Sequence, residues 1–118
     1  MDALLDALAV LFPVDCAGCG AADRSVCSQC RAALGPPVQS RVGPLEVVSA
    51  ARYEGVVREL VLSFKEGGRT DAARLLGAAI APLLAAASDH GLSELAPMPS
   101  SRSAYRRRGF DPVGLLVR

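Results

Sequence analysis

The sequence predicts an α/β chain in two parts, and three observations carry that reading. All four cysteines fall within residues 16–30, in two Cys-x-x-Cys pairs. A Pro/Gly-rich stretch, GPPVQSRVGP (35–44), follows them and reads as a connector. Beyond it, short valine-rich runs alternate with helical apolar spacing in the order strand–helix–helix–strand–loop–helix. The expected organisation is a helix and cysteine module over residues 1–38 and an α/β segment over 45–118.

Each element has its own warrant. In MDALLDALAVLFP, Leu4, Leu5, Leu8, Leu11 and Phe12 share one face of a short helix that Pro13 ends. LEVVSAARY (45–53) is short and valine-rich, so it predicts a strand. GVVRELVLSFKEGG (55–68) puts Val56, Val57, Leu60, Val61 and Phe64 on one helical face, with Arg58, Glu59, Lys65 and Glu66 outward. Gly67 and Gly68 supply the stop, and Lys65 is a favourable charge near the helix C-terminus. A second helix is expected from about Asp71 to Ala87, capped by Thr70. Pro82 should kink or break it, because a mid-helix proline removes a backbone hydrogen bond. ELAPMP (94–99) reads as a short strand that buries Met98. Asp111-Pro112 opens a last helix through Val113, Leu116 and Val117.

Composition limits the core. The apolar fraction is 51%, but 20 of the 118 residues are alanine and five are aromatic, so large core side chains are scarce. The net charge of +1 conceals an asymmetry: residues 1–101 carry eight basic and eleven acidic groups, whereas 102–118 carry five arginines and one aspartate. Basic charge gathered in one short segment favours a local anionic ligand over a whole-surface nucleic-acid binder. The N-terminal segment has Asp2 and Asp6 and no positive stretch, which argues against a secretory signal. The longest apolar run, AARLLGAAIAPLLAAA (72–87), contains Arg74 and Pro82 and is shorter than the roughly 20 residues a span needs. The expectation is a cytoplasmic protein without membrane insertion.

The cysteines give the most specific signal. In CAGCGAADRSVCSQC, Cys16 and Cys19 form one pair and Cys27 and Cys30 the other. A Cys-x-x-Cys turn lets two thiolates reach one ion, and Gly18 and Gly20 permit a tight turn that points backbone N–H groups at sulfur. Two such knuckles facing each other make a tetrahedral zinc site. Two disulfides fit poorly with a chain lacking a secretory signal. An iron–sulfur cluster uses the same ligands, but paired knuckles favour zinc. A closed four-thiolate site leaves no open coordination position, so its role is structural. Arg24 and Arg31 either offset the charge of such a site or are ordinary surface arginines. His90, the one histidine, lies in a polar stretch with no companion for catalysis.

The second signal is PMPSSRSAYRRRGF (97–110). It offers hydroxyls at Ser100, Ser101 and Ser103 and guanidiniums at Arg102, Arg106, Arg107 and Arg108, a combination suited to phosphate or pyrophosphate. A solvated basic turn is the plainer reading of the same residues. The candidate ligand-binding set is Pro99, Ser100, Ser101, Arg102, Arg106, Arg107, Arg108 and Gly109, in a loop. Tyr105 beside them either stacks on a base or packs inward, with packing the expectation.

Taken in order, the LFP-ended helix, the two cysteine pairs, YEGVVRELVLSFKEGGR (53–69), the alanine-rich helix and LAPMPSSRSAYRRRGFDPVGLLVR (95–118) resemble the ComF family of phosphoribosyltransferase-like proteins. The motifs are Tyr53 to Gly55, Lys65 before Gly67-Gly68, Pro97-Met98-Pro99, and Arg107-Arg108-Gly109-Phe110. Where family members often have Asn-Gln after Gly-Phe, this chain has Asp111-Pro112. The resemblance implies an N-terminal zinc ribbon followed by the incomplete first half of a type I phosphoribosyltransferase, Rossmann-like domain. It implies phosphoribosyl pyrophosphate or pyrophosphate as ligand, with magnesium in a complete member. It also implies a role in competence for DNA uptake, with an uptake ATPase and single-stranded DNA as partners. The family's paired acidic residues and Thr/Gly-rich phosphate loop do not occur in residues 1–118, so this chain by itself is expected to lack transferase turnover. The alternative reading is a zinc-ribbon module that binds nucleic acid or a partner protein.

Overall fold

Helix formation follows apolar spacing wherever that spacing is dense. In the computed structural model the described residues are 14–22, 25–92 and 94–117, with Ala3, Leu4 and Ala7. The N-terminal helix expected over Leu4–Phe12 therefore falls for the most part outside them, as does Arg24. The elements are α1 (Ser28–Ala32), β1 (Val38–Val42), β2 (Leu45–Ser49), α2 (Gly55–Lys65), a 3₁₀ turn (Thr70–Ala72), α3 (Ala73–Asp89), α4 (Arg102–Arg108) and α5 (Pro112–Leu116).

β1 and β2 form an antiparallel hairpin in which Val38 faces Ser49 and Val42 faces Leu45. The stretch expected to be a connector is thus half of a sheet. Its turn residues explain both the hairpin and the misreading. Gly43 has φ +60°, and Pro44 after it fixes a negative φ, the positive-then-negative pattern of a type II′ hairpin turn. The strand expected over 45–53 stops at Ser49. ELAPMP forms no strand: residues 94–100 are irregular, and Met98, expected to be buried, is 86% exposed. Pro97 and Pro99 have no N–H to give to a ladder, which disfavours sheet pairing there. The sheet among the described residues is this two-stranded hairpin.

α2 buries Val57, Leu60 and Phe64, at i, i+3 and i+7, and Leu60 and Phe64 are essentially inaccessible. Lys65 occupies its last turn as expected, and the Gly67 and Arg69 amides then close onto the Ser63 carbonyl. Thr70 does not cap α3. It begins the 3₁₀ turn, and the following Asp71 is gripped by both Arg69 Nε (3.0 Å) and Nη2 (2.8 Å). α3 runs through Pro82 without the break that was one of the two expected outcomes there, and ends at Asp89. With its 3₁₀ turn it covers 20 residues, long and apolar enough in composition alone to cross a membrane. α5 starts at Pro112 behind Asp111, as the sequence predicts. It approaches α3 at Gly77, where an added Cβ would lie 2.7 Å from the Leu116 carbonyl oxygen.

The core joins the two ends of the described chain. Cys16, Ala17, Val26, Cys27 and Cys30 share one buried cluster with Leu60, Phe64, Ala72 and Leu76. The Ser63 hydroxyl donates to the Ala17 carbonyl at 2.8 Å, and Arg69 Nη2 donates to the Ser25 carbonyl at 3.3 Å. Phe110 packs its ring 5.6 Å from that of Phe64. The cysteine segment therefore rests directly on α2 and on the entry to α3.

Candidate metal centre and the arginine helix

The four cysteine Sγ atoms lie within 4.8 Å of one another. This convergence comes from two local devices. Residues 17–19 form a turn closed by the Gly20 amide donating to the Cys16 carbonyl (2.9 Å). Cys27 caps α1, its sulfur accepting from the Cys30 amide at 3.5 Å, so Cys27 and Cys30 sit one turn apart on the same side. Gly18 is required by contact: an added Cβ would stand 2.8 Å from Cys30 Sγ and 3.1 Å from Val56 Cγ1. Cys16, Cys27 and Cys30 are buried, and Cys19 is exposed.

Among the described residues, backbone N–H groups point at Cys16 and Cys27 Sγ. Cys16 Sγ accepts from the amides of Gly18 (3.4 Å) and Cys27 (3.3 Å), while Cys27 Sγ accepts from that of Cys30. These bonds decide where negative charge settles. Burial pushes the Cys16 thiol up, but the amides of Cys19, Cys27 and Gly18, with the Cys30 side chain, outweigh it and bring the pKa to about 6. The Cys27 thiol is lowered, first by the Cys30 amide and then by the Cys30 side chain. Cys30 goes the other way: burial, then the neighbouring sulfurs of Cys27, Cys19 and Cys16, hold its proton on. Four thiolates cannot share this space without a compensating cation. The donor set, closed, all sulfur and supported by amide hydrogen bonds, fits a structural divalent metal. Arg31 lies exposed in the last turn of α1.

The arginine segment differs from its expected form, because it is a helix rather than a loop. The Ser101 hydroxyl caps α4 by accepting from the Ala104 amide at 3.1 Å. Gly109, at φ +78°, ends it in the left-handed conformation, its amide donating to the Tyr105 carbonyl at 2.8 Å. A serine cap and a terminal glycine bracket these seven residues in the sequence, which is a helix signature beneath the run of charge.

The helix divides the predicted ligand residues. Arg102 and Arg106, with Pro99 and Ser100, line an open groove of about 580 Å³ together with Tyr105 and Asp111. Tyr105, expected to pack inward, is 53% exposed there. Arg107 and Arg108 are drawn aside by Glu66, at 3.3 and 2.7 Å, and Arg108 is the better buried of the two. The Arg108 hydrogen bond is the main cause holding the Glu66 carboxyl below its ordinary range. Ser101 and Gly109 serve as helix caps. Glu66 is the site residue that sequence reasoning missed, since a partner 41–42 residues away leaves no trace in local spacing. Comparison with protein-family models, with curated proteins and with solved structures returns no match for this chain.

Proposed function

We propose that the four cysteines hold a structural zinc ion, and that the chain is a ComF-like, phosphoribosyltransferase-type protein whose α4 groove receives a phosphate-bearing ligand. The observation that carries the metal assignment is the convergence of four Sγ atoms within 4.8 Å. Zinc suits a set of four sulfurs, and its charge offsets the thiolates that burial disfavours. It supplies no chemistry beyond cross-linking the two knuckles. The ligand assignment rests on Arg102 and Arg106 lining an open groove with Ser100, together with the sequence resemblance, which also supplies the Rossmann-like half-domain. The activity proposed for these residues is binding of the phosphate-bearing group in the α4 groove. Magnesium and phosphoribosyl pyrophosphate belong to the complete enzyme type.

Metal analysis of the purified protein tests the first part, with one zinc per chain expected. Exchange with cobalt should yield the intense thiolate-to-metal absorption of a tetrahedral sulfur site. An iron chromophore, or no retained metal, refutes it. Calorimetric titration with pyrophosphate tests the second part. Binding that is lost in Arg102→Ala/Arg106→Ala supports the groove, and equal binding in that variant rejects it.

A second reading is favoured by one observation, the exposure of Tyr105 beside Arg102 and Arg106. An aromatic face flanked by guanidiniums suits single-stranded nucleic acid, as the proposed link to DNA uptake and its ATPase requires. Affinity for an oligonucleotide that falls steeply with salt, with pyrophosphate unable to compete, selects this reading.

A further inference from the structure

The four sulfurs of the centre are unequal in two ways that bear on oxidation. Cys16, Cys27 and Cys30 are buried under α2, whereas Cys19 is open to solvent. Among the described residues, Cys16 and Cys27 are sulfurs that accept backbone N–H bonds, and Cys19 has none. An amide hydrogen bond blunts a thiolate's nucleophilicity, so once metal binding has made all four sulfurs thiolates, the exposed one without an amide donor is the reactive one. Cys19 Sγ also lies 3.7 Å from Cys27 Sγ, close enough to form a bond after small side-chain rotations.

We propose that Cys19 is a peroxide-reactive thiol, and that its oxidation closes a Cys19–Cys27 disulfide that expels the metal. The inference rests on the proposed metal assignment, which keeps Cys19 as a thiolate and supplies the ion that is released. In the first step the Cys19 thiolate attacks one oxygen of a hydroperoxide; the O–O bond breaks and the departing hydroxide leaves as water after taking a proton. The product is a sulfenic acid at Cys19. In the second step the Cys27 thiolate attacks the Cys19 sulfur and displaces hydroxide, which takes a second proton and leaves as water. Two sulfurs together lose two electrons and the peroxide gains two. The metal keeps only Cys16 and Cys30, which cannot hold it in competition with water.

The consequence reaches past the cysteines. Ala17 and Ser25 are the carbonyls that Ser63 and Arg69 grip, so strain in the 16–30 segment falls on the C-terminal turn of α2. That turn includes Glu66, which holds Arg107 and Arg108. Oxidation of an exposed sulfur thereby loosens both the core and the arginine helix.

The test treats the metal-loaded full chain with hydrogen peroxide in steps. Released metal is read with a chromophoric chelator. Free thiols are alkylated with one reagent, then the disulfides are reduced and labelled with a second, and each cysteine is located by peptide mass. At the first half-equivalent of release, the second label is expected on Cys19 and Cys27. Label on Cys16 and Cys30, or spread evenly over all four, overturns the proposal. Cys19→His retains a metal ligand without a sulfur, and its peroxide-driven release is expected to be slower by at least about tenfold. Release at the wild-type rate overturns the proposal as well. Should the purified chain hold no metal, the zinc reading fails and this proposal with it; where metal is retained, the labelling pattern alone decides the proposal.

Discussion

The cysteine knuckles and the arginine helix both rest on the last two turns of α2, yet they are held by different forces. The cysteine segment contributes Cys16, Ala17, Val26, Cys27 and Cys30 to the buried cluster, and a hydroxyl and a guanidinium of α2 and its exit pin its carbonyls. The arginine helix contributes no buried residue of its own; Phe110 after it packs on Phe64, and Glu66 pairs with two of its arginines. Burial and sulfur geometry determine the first region. The second is attached by one ring contact and one exposed carboxylate. Burial thus holds the cysteine centre, and pairing to a carboxylate with one ring contact holds the basic helix beside it.

Removing the metal is the strongest way to break that contrast. Metal–thiolate binding in small zinc folds contributes about 10–16 kcal/mol at neutral pH, as much as the whole stability of an ordinary domain, about 5–15 kcal/mol. Chelation is therefore expected to abolish the cooperative thermal transition seen by far-ultraviolet circular dichroism. Limited trypsin digestion shows how far the loss spreads: rapid cleavage at Arg106, Arg107 and Arg108 in the chelated chain means that α4 depends on the centre. Protection of those bonds after chelation separates the two regions. Acid should act in the same direction, because the Cys30 proton is already held on by burial and by neighbouring sulfurs and must be displaced for the ion to bind. Metal affinity is expected to fall as pH is lowered.

Phe64 is the side chain the two regions share. It is 1% exposed, belongs to the cysteine cluster and carries Phe110 on its ring. Phe64→Ala is expected to cost about 3–5 kcal/mol, from lost burial and the cavity left behind. The measurement is urea denaturation of the metal-loaded protein, and a loss below about 1 kcal/mol would mean that the core closes around the gap.

Gly18→Ala acts on the centre alone. The new methyl would press on Cys30 Sγ and Val56, which the packing allows little room to yield. Supporting residues around metal ligands typically change affinity by about 10–100-fold, and a loss in that range is expected here. Competition with a chelator of known affinity measures it, and trypsin sensitivity of α4 at saturating metal should remain that of wild type.

What the sequence disclosed follows the same division. The cysteine pairs were legible because two local turns suffice to converge four sulfurs, and the α2 face was legible because Val57, Leu60 and Phe64 repeat within eleven residues. The hairpin was hidden because VQSRV has too few apolar residues to show alternation, and the Gly-Pro pair that makes its turn also looks like a connector. The arginine segment was read as a binding loop because its charge is local. Glu66 pairs with Arg107 and Arg108, and that depends on how α2 and α4 meet. Pro82 was expected to kink or break its helix; the helix is not broken there, and nothing in the structure explains why the missing hydrogen bond is tolerated.

The smallest effect is expected from Glu66 itself, and it bears most directly on the contrast. Its carboxyl is held below the ordinary range chiefly by the Arg108 hydrogen bond, against some desolvation. A carboxyl depressed in the folded state contributes stability above its unfolded pKa and loses it as pH falls through the folded value. The stability difference between wild type and Glu66→Gln should therefore be present at neutral pH and vanish in acid below that value. The pair is largely solvent-exposed on the Arg107 side, so the difference is small. Its effect on binding has the opposite sign. Glu66 competes with any phosphate for Arg107 and Arg108, and Glu66→Gln should raise pyrophosphate affinity, by less than about fivefold. Calorimetry at neutral pH measures that change. A loss of affinity in the variant would show that Glu66 presents the arginines to the ligand instead of withholding them, and the helix would then be as preorganised as the cysteine centre.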